Sequence, residues 1–444
     1  MAISPARIAA FDILLRVDQQ DAYASELLHA SGCTKLSPMD HGLATELVMG
    51  VLRWRSLLDR QIAQRSSLKL GKLDPEVLTC LRLAAYQLLY LTRIPEHAAV
   101  HESVELAKRS RKRSAVPFVN AVLRKFVTGD RRLESVPIEG SVTVAELAAA
   151  SAHPEWLVQR WSGEFGLLTV RQISSYDQKI PTTCVSIRDP VIASELESQR
   201  VQLGPGSLLA SAYRVIAGDL TRTQAFRERR VAIQDEASQL VALLVGKGSR
   251  ILDCCAAPGG KTRLLAERNP EAAIVAVELH SHRARLLRKL VPAKNVKIIT
   301  ADVRDLPTTE FFDRVLVDVP CSGTGTLARN PEIKWRLQPE DLLDLQLRQL
   351  AILQSAMQRV APRGRLVYST CSLEPEENHG VVESALSADS SFCLADSREQ
   401  LQQLHSQGEL AWKDIDSLTS GSYLRTVPGV HPCDGFFAAI LQKV

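Results

Sequence analysis

Five short apolar runs recur from about residue 236 onward: SRILDCC, AIVAVEL, VKIIT, RVLVDVP and GRLVYST. Each is separated from the next by a helix-like stretch. This alternation admits few folds and predicts a doubly wound, mainly parallel α/β sheet over 236–444. In such sheets ligands bind outside the carboxyl ends of the strands. The residues with the most chemistry in this chain fall at those ends.

The rest of the chain reads differently. Its 444 residues exceed one ordinary core, so two or three domains are expected. Residues 1–128 predict an all-α bundle. Ser4-Pro5 and Asp74-Pro75 each place a cap residue before a first-turn proline. After the second, Val77, Leu81, Ala84, Leu88 and Leu91 share one stripe. Residues 129–150 predict a linker. Residues 151–235 open with helical signals (HPEWLVQRWSGEFG). They continue with short apolar runs, TTCVSI and YRVI, between turns, which predicts a small α+β subdomain.

The loop DCCAAPGGKT, 253–262, follows the first strand and opens a helix. Gly259 and Gly260 let backbone approach a ligand at a helix N-terminus. A triphosphate loop would need glycine where Cys255 stands, and a dinucleotide loop would need G-x-G-x-x-G. An adenosyl ligand without a phosphate remains. The next strand ends at Glu278, suited to ribose hydroxyls, and the one after it at Asp302, placed to reach an adenine edge. This set fits S-adenosylmethionine. The alternative is that Glu278 and Asp302 are solvated strand-end residues.

Two further strand ends carry cysteines, in VDVPCSGTG (Cys321) and VYSTCSLEPEEN (Cys371). Most methyl acceptors attack a sulfonium directly and need no thiol. Carbon 5 of a pyrimidine is a poor nucleophile. A thiolate adding to carbon 6 turns the ring into an enamine, and carbon 5 can then attack the methyl group. A second cysteine can assist release of the product. Asp318 can hydrogen-bond ring nitrogen 3 as addition occurs. The competing explanation is that free cysteines often serve as small buried hydrophobes.

Together DCCAAPGGKT, VDVPCSGTG, NPEIKW, VYSTCSLEPEEN and HPCDGFFAAILQKV are similar to the motifs of the Sun/Fmu (RsmB-type) RNA cytosine-carbon-5 methyltransferases. In the last of these, Asp434-Gly435 turns into a final strand. IPEHAAVHESVELAK and PFVNAVLRKF resemble the NusB-type RNA-binding domain. The resemblance implies Cys371 as nucleophile, Cys321 in release and Asp318 against the cytosine and near the donor. It implies that Cys255, Ala256, Ala257, Pro258, Gly259, Gly260 and Lys261, with Glu278 and Asp302, hold S-adenosylmethionine. The implied partner is small-subunit (16S) ribosomal RNA. Glu278 stands where the family more often has Asp, and Val319 where Ala is common. Neither change removes a reactive group. A tRNA or DNA cytosine methyltransferase and a non-catalytic RNA-binding factor are the rival readings. The pairing of Cys321 with Cys371 favours the RNA enzyme.

The net charge is +4, divided as +6 over 1–128 and −2 over the remainder, so the helical part is the basic one. KRSRKR at 108–113 and FRERR at 226–230 are candidate phosphate contacts. A base meeting Cys371 must leave any stack, so an unpaired cytosine is the expected target. Nine cysteines without a C-x-x-C pair exclude a disulfide framework and give no tetrahedral zinc set, so no metal is expected. No apolar run reaches ~20 residues and no signal peptide is present, so a cytoplasmic protein is expected, acting as a monomer.

Overall fold

The computed structural model describes residues 3–20, 22–29, 33–129, 142–306 and 310–444. Residues 130–141 of the expected linker lie outside them. The chain forms two compact units. One comprises Met1–Ile180 with Leu327–Leu337, the other Pro181–Thr326 with Gln338–Val444.

The first unit is helical. Ser4 anchors the opening helix, Pro5–Gln20, by giving its backbone N–H and its hydroxyl to Glu102 Oε2, both at 2.8 Å. Ser37 caps Pro38–Arg53 by accepting the Asp40 amide at 3.1 Å. In Pro75–Tyr90 the expected stripe is buried at Val77, Leu81 and Ala84, while Leu88 and Leu91 lie at its half-buried margin. Arg82, on the same helix, forks onto Asp59 at 2.7 and 2.8 Å and reaches Asp18 at 3.1 Å. A fork of this kind satisfies a nearly buried guanidinium that could not otherwise leave water. Glu96–Arg109 and Val116–Thr128 complete the core, and Val144–Ser151, Glu155–Phe165 and Leu167–Asp177 follow.

Residues Leu327–Leu337, which carry NPEIKW, return to this unit. Lys334 is only 2% exposed and donates to the carbonyls of Arg53 and Ala152, both at 2.9 Å. Trp335 Nε1 donates to Leu52 O at 2.6 Å, and Glu332 accepts the Ala24 amide at 2.8 Å. The motif therefore serves tertiary docking, which its sequence did not reveal.

Burial pushes the Lys334 ammonium down to about 7, with Asp177 opposing and Arg53 reinforcing the shift. An unfolded lysine titrates near ~10.4. Between the two values the unfolded chain binds more protons, so this contribution to stability rises with pH and is lost as pH falls. In urea unfolding, the stability of wild type relative to Lys334→Met should increase by roughly 1 kcal/mol per pH unit between pH 7 and 9. A pH-independent difference would refute the assignment.

The second unit opens with a three-stranded antiparallel sheet. Ala212–Ala217 is central, between Cys184–Ser186 and Gln202–Pro205. The alternation from 236 becomes a nine-stranded mixed sheet among the described residues. Its parallel core runs, in spatial order, Val360–Thr370, Phe312–Asp318, Arg250–Asp253, Ala273–Glu278, Val296–Thr300. The C-terminal part is antiparallel. Phe436–Lys443 pairs with Val360–Thr370, Tyr423–Thr426 and Phe392–Ala395, and Thr419–Ser420 closes that edge. The chain moves outward from Arg250–Asp253 to Val296–Thr300, then crosses to Phe312–Asp318 on the other side. That reversal is the switch point at which such sheets open a crevice. Among the described residues no helix is long and apolar enough to cross a membrane.

Candidate active site

The register decides which side chains meet. Asp318 is paired with Ser369, so the loops leaving these two strands emerge side by side. Cys321 and Cys371 follow within three residues, and their sulfurs lie 3.3 Å apart. The hydrogen bond with Cys371 is the largest cause pushing the Cys321 thiol up. Burial and the charges of Cys371 and Glu377 act in the same direction.

The residues just after the two cysteines share one acceptor. Glu377, fully buried, accepts the Ser322 amide at 2.8 Å, the Ser322 and Ser372 hydroxyls, and Gln349 Nε2 at 2.7 Å. Gln349 also donates to Pro320 O at 3.0 Å. The carboxylate thus ties both cysteine loops to one point. Gly325 adds a backbone clamp. Its N–H donates to Cys371 O at 2.9 Å, and its carbonyl accepts from Gly435 at 2.8 Å. A Cβ on Gly325 would stand 2.2 Å from Gly435 O, so only glycine fits. Asp434-Gly435 is accordingly the counterpart of the Cys321 loop as well as the entry to the last strand.

On the neighbouring strand end Lys261 Nζ pairs with Asp318 Oδ2 at 2.8 Å and lies 5.0 Å from the Phe436 ring. Ser369 donates to Asp318 Oδ1 at 2.7 Å. Lys261, expected at the donor, and Asp318, expected against the cytosine and near the donor, are thus a single ion pair.

The loop Cys255 to Lys261 returns toward the sheet, where the Ala256 amide donates to Val277 O at 2.9 Å. The Ala257-Pro258 peptide is cis. Gly259, at φ +120, initiates the helix Gly260–Arg268, and a Cβ there would lie 2.7 Å from Leu287 and Val291. Burial pushes the Cys255 thiol up, and the charges of Asp253, Asp318 and Glu278 add to it. Cys254 is likewise pushed up by burial. Neither is suited to nucleophilic attack.

Sequence reasoning missed Asp253. It is buried and accepts from Thr262 Oγ1 at 2.7 Å, while its Oδ1 has no well-formed hydrogen bond among the described residues. Burial pushes its carboxyl up to about 7. Glu278, also buried, accepts the His280 amide at 2.9 Å. Asp302 is engaged by Arg304 at 2.6 Å and accepts its amide at 2.9 Å.

An orphaned carboxylate oxygen, a second carboxylate at the adjacent strand end and a side-chain-free helix entry fit a donor bearing an ammonium group and a ribose. The expected S-adenosylmethionine has both. Glu377 was missed too. Three glutamates stand in SLEPEEN; two of them, Glu374 and Glu377, are buried, and the sequence gives no sign of which one gathers the cysteine loops.

The comparisons with known proteins agree with this geometry. Residues 240–442 match the family model of the 16S rRNA methyltransferase RsmB/F, and residues 4–128 that of the NusB family. The "Probable ribosomal RNA small subunit methyltransferase B" of Bacillus subtilis is 32% identical, over 98% of each chain. The ribosomal RNA small subunit methyltransferase B of Vibrio cholerae is 30% identical, over 92% of this chain and 91% of that protein. The crystal structure of PH0851 aligns over 100% of both chains with a TM-score of 0.80 at 23% identity, a likeness of fold. Cysteine loops set side by side, a donor-type loop at the switch point and relatives matched along their whole length lead to one statement: the chain belongs to the RsmB/F family of 16S rRNA methyltransferases.

Proposed function

We propose that this chain transfers a methyl group from S-adenosylmethionine to carbon 5 of a cytosine in 16S ribosomal RNA, through a covalent bond between Cys371 Sγ and carbon 6. The observation that carries the proposal is the pair of sulfurs 3.3 Å apart at adjacent strand ends, beside the Lys261–Asp318 ion pair. A methyltransferase acting on nitrogen or oxygen has no need of such a pair.

Cys371, as thiolate, adds to carbon 6, and the displaced electron pair makes carbon 5 nucleophilic. Asp318, held by Lys261 and Ser369, is assigned to ring nitrogen 3, where its carboxyl, carrying a proton, would donate a hydrogen bond and steady the charge that develops. S-adenosylmethionine supplies the electrophilic methyl group when bound. The carbon-5 proton is then taken by Cys321 as thiolate and passed to solvent, its electron pair restores the carbon 5–carbon 6 double bond, and the carbon 6–sulfur bond breaks to return the Cys371 thiolate. Cys321 assists this release. Cys255, Ala256, Ala257, Pro258, Gly259, Gly260 and Lys261, with Glu278, Asp302 and Asp318, are assigned to the donor. Residues 1–128 are assigned to RNA binding, with 129–150 as linker, 151–235 as accessory subdomain and 236–444 as catalytic domain.

The test is nucleoside analysis of protein-free 16S rRNA after incubation with enzyme and S-adenosylmethionine. Wild type should yield 5-methylcytidine, and Cys371→Ala should lower the rate by roughly 10³-fold or more. A methyl group on a ring nitrogen, or an active Cys371→Ala protein, would defeat the proposal.

A further inference from the structure

The cationic runs conspicuous in the sequence are partly neutralised by the chain itself. In 108–113, Lys108 pairs with Glu105 at 2.6 Å, Arg109 with Asp12 at 2.8 Å and Lys112 with Asp74 at 3.0 Å. In 226–230, Arg230 pairs with Glu195 at 2.7 Å and Glu228 at 2.8 Å. On a different surface, the segment 279–301, only Arg283 meets a carboxylate among the described residues, Glu278 at 3.9 Å. Residues 279–301 contain six Lys or Arg, two His and no Asp or Glu.

The helix Ser281–Leu290 packs on Ala273–Glu278 and Val296–Thr300 through fully buried Ala284 and Leu287. Its outward side presents Arg285, Arg288 and Lys289, and exposed Lys294 and Lys297 continue the face. None of these five has an ion pair among the described residues. The Arg288 guanidinium meets only the Thr300 hydroxyl, at 3.3 Å. At the root of the helix Arg283 donates to Ala257 O at 3.1 Å, so the face begins at the proposed donor loop.

Folding alone disfavours this arrangement. The helix dipole favours Arg288 and Lys289 in the last turn, but it opposes Arg283 and Arg285 near the positive end, where the first turn has no acidic residue. Arg285, Arg288 and Lys289 also repel one another at three- and four-residue spacing.

We propose that this face binds the phosphate backbone of the RNA substrate beside the target nucleotide, an assignment that rests on the RNA methyltransferase reading above. Continuity with the donor loop favours a polyanion engaged at the crevice at the same time. Lys297 also protects the free sheet edge from strand pairing, so it is left intact in the test.

The experiment compares the full-length triple variant Arg285→Gln, Arg288→Gln, Lys289→Gln with a charge-matched control, Arg200→Gln, Arg363→Gln, Lys413→Gln, whose positions are exposed elsewhere on the same unit. Binding to protein-free 16S rRNA is measured against salt, and methylation against RNA concentration. The triple variant should bind about 10- to 100-fold more weakly at 0.15 M salt, and its log–log salt slope should shrink by about 2. KM for RNA should rise while kcat and S-adenosylmethionine affinity move less than about twofold, and the control should match wild type on every measure. Unchanged RNA affinity and slope, with wild type methylating the RNA, would overturn this inference and leave the catalytic reading standing. A wild type that neither binds nor methylates RNA would overturn both. Loss of binding to phosphatidylglycerol vesicles with RNA binding intact would assign the face to a membrane and overturn the inference.

Discussion

Cys321→Ala protein, incubated with S-adenosylmethionine and protein-free small-subunit rRNA, should accumulate a covalent protein–RNA band on a denaturing gel. The band should vanish when Cys371 is also replaced. The expectation follows from the order of bond changes. Addition and methyl transfer need only Cys371, whereas loss of the carbon-5 proton and departure of Cys371 involve its neighbour 3.3 Å away. Removing Cys321 leaves the first two steps open and blocks the last, so turnover should fall by at least ~10³-fold while adduct builds up. The substitution removes one half-buried sulfur and leaves the Glu377 clamp in place, so the protein should still fold. Absence of the band, with wild type methylating the same RNA, would mean that the roles of the two cysteines are wrongly assigned.

Glu377→Gln should be the second severe change, although this carboxylate touches neither base nor donor in the proposed scheme. Itself fully buried, it accepts from the half-buried Ser322 amide, two hydroxyls and the Gln349 amide. A glutamine offers one acceptor oxygen and turns an NH₂ group toward at least one of those donors. Each buried group left unsatisfied costs about 1–3 kcal/mol. Relief will come through movement of the loops that carry Cys321 and Cys371. A displacement of about 1 Å at reacting atoms lowers rates on the order of 100-fold. The expected outcome is a kcat loss of that order with S-adenosylmethionine affinity within about twofold of wild type, read by single turnover and by calorimetry. Folding stability should drop by roughly 2–4 kcal/mol. Equal losses in donor affinity and kcat would point to general collapse of the crevice instead.

The sequence by itself determined the sheet, its strand ends and the residue types placed there. Period and composition are local properties, and the alternation from residue 236 could yield little but a doubly wound sheet. It also placed Cys321 and Cys371 just past two strands. It did not place them against each other, because that depends on the pairing of Asp318 with Ser369, a register fixed by side-chain packing across the sheet. Burial was equally hidden. Glu377 and Lys334 read as ordinary surface charges in EPEEN and NPEIKW, yet the fold removes both from water and surrounds them with partners. Charge misled in the opposite direction. Arg109 and Lys112 of KRSRKR meet carboxylates from distant segments, whereas Arg285, Arg288, Lys289, Lys294 and Lys297 stay exposed with no ion pair among the described residues. Local pattern fixes which groups lie at the mouth of the sheet. Only the tertiary structure decides which of them touch, because the decisive contacts, Cys321 with Cys371, Lys261 with Asp318 and Ser322 with Glu377, join residues 50 to 57 positions apart.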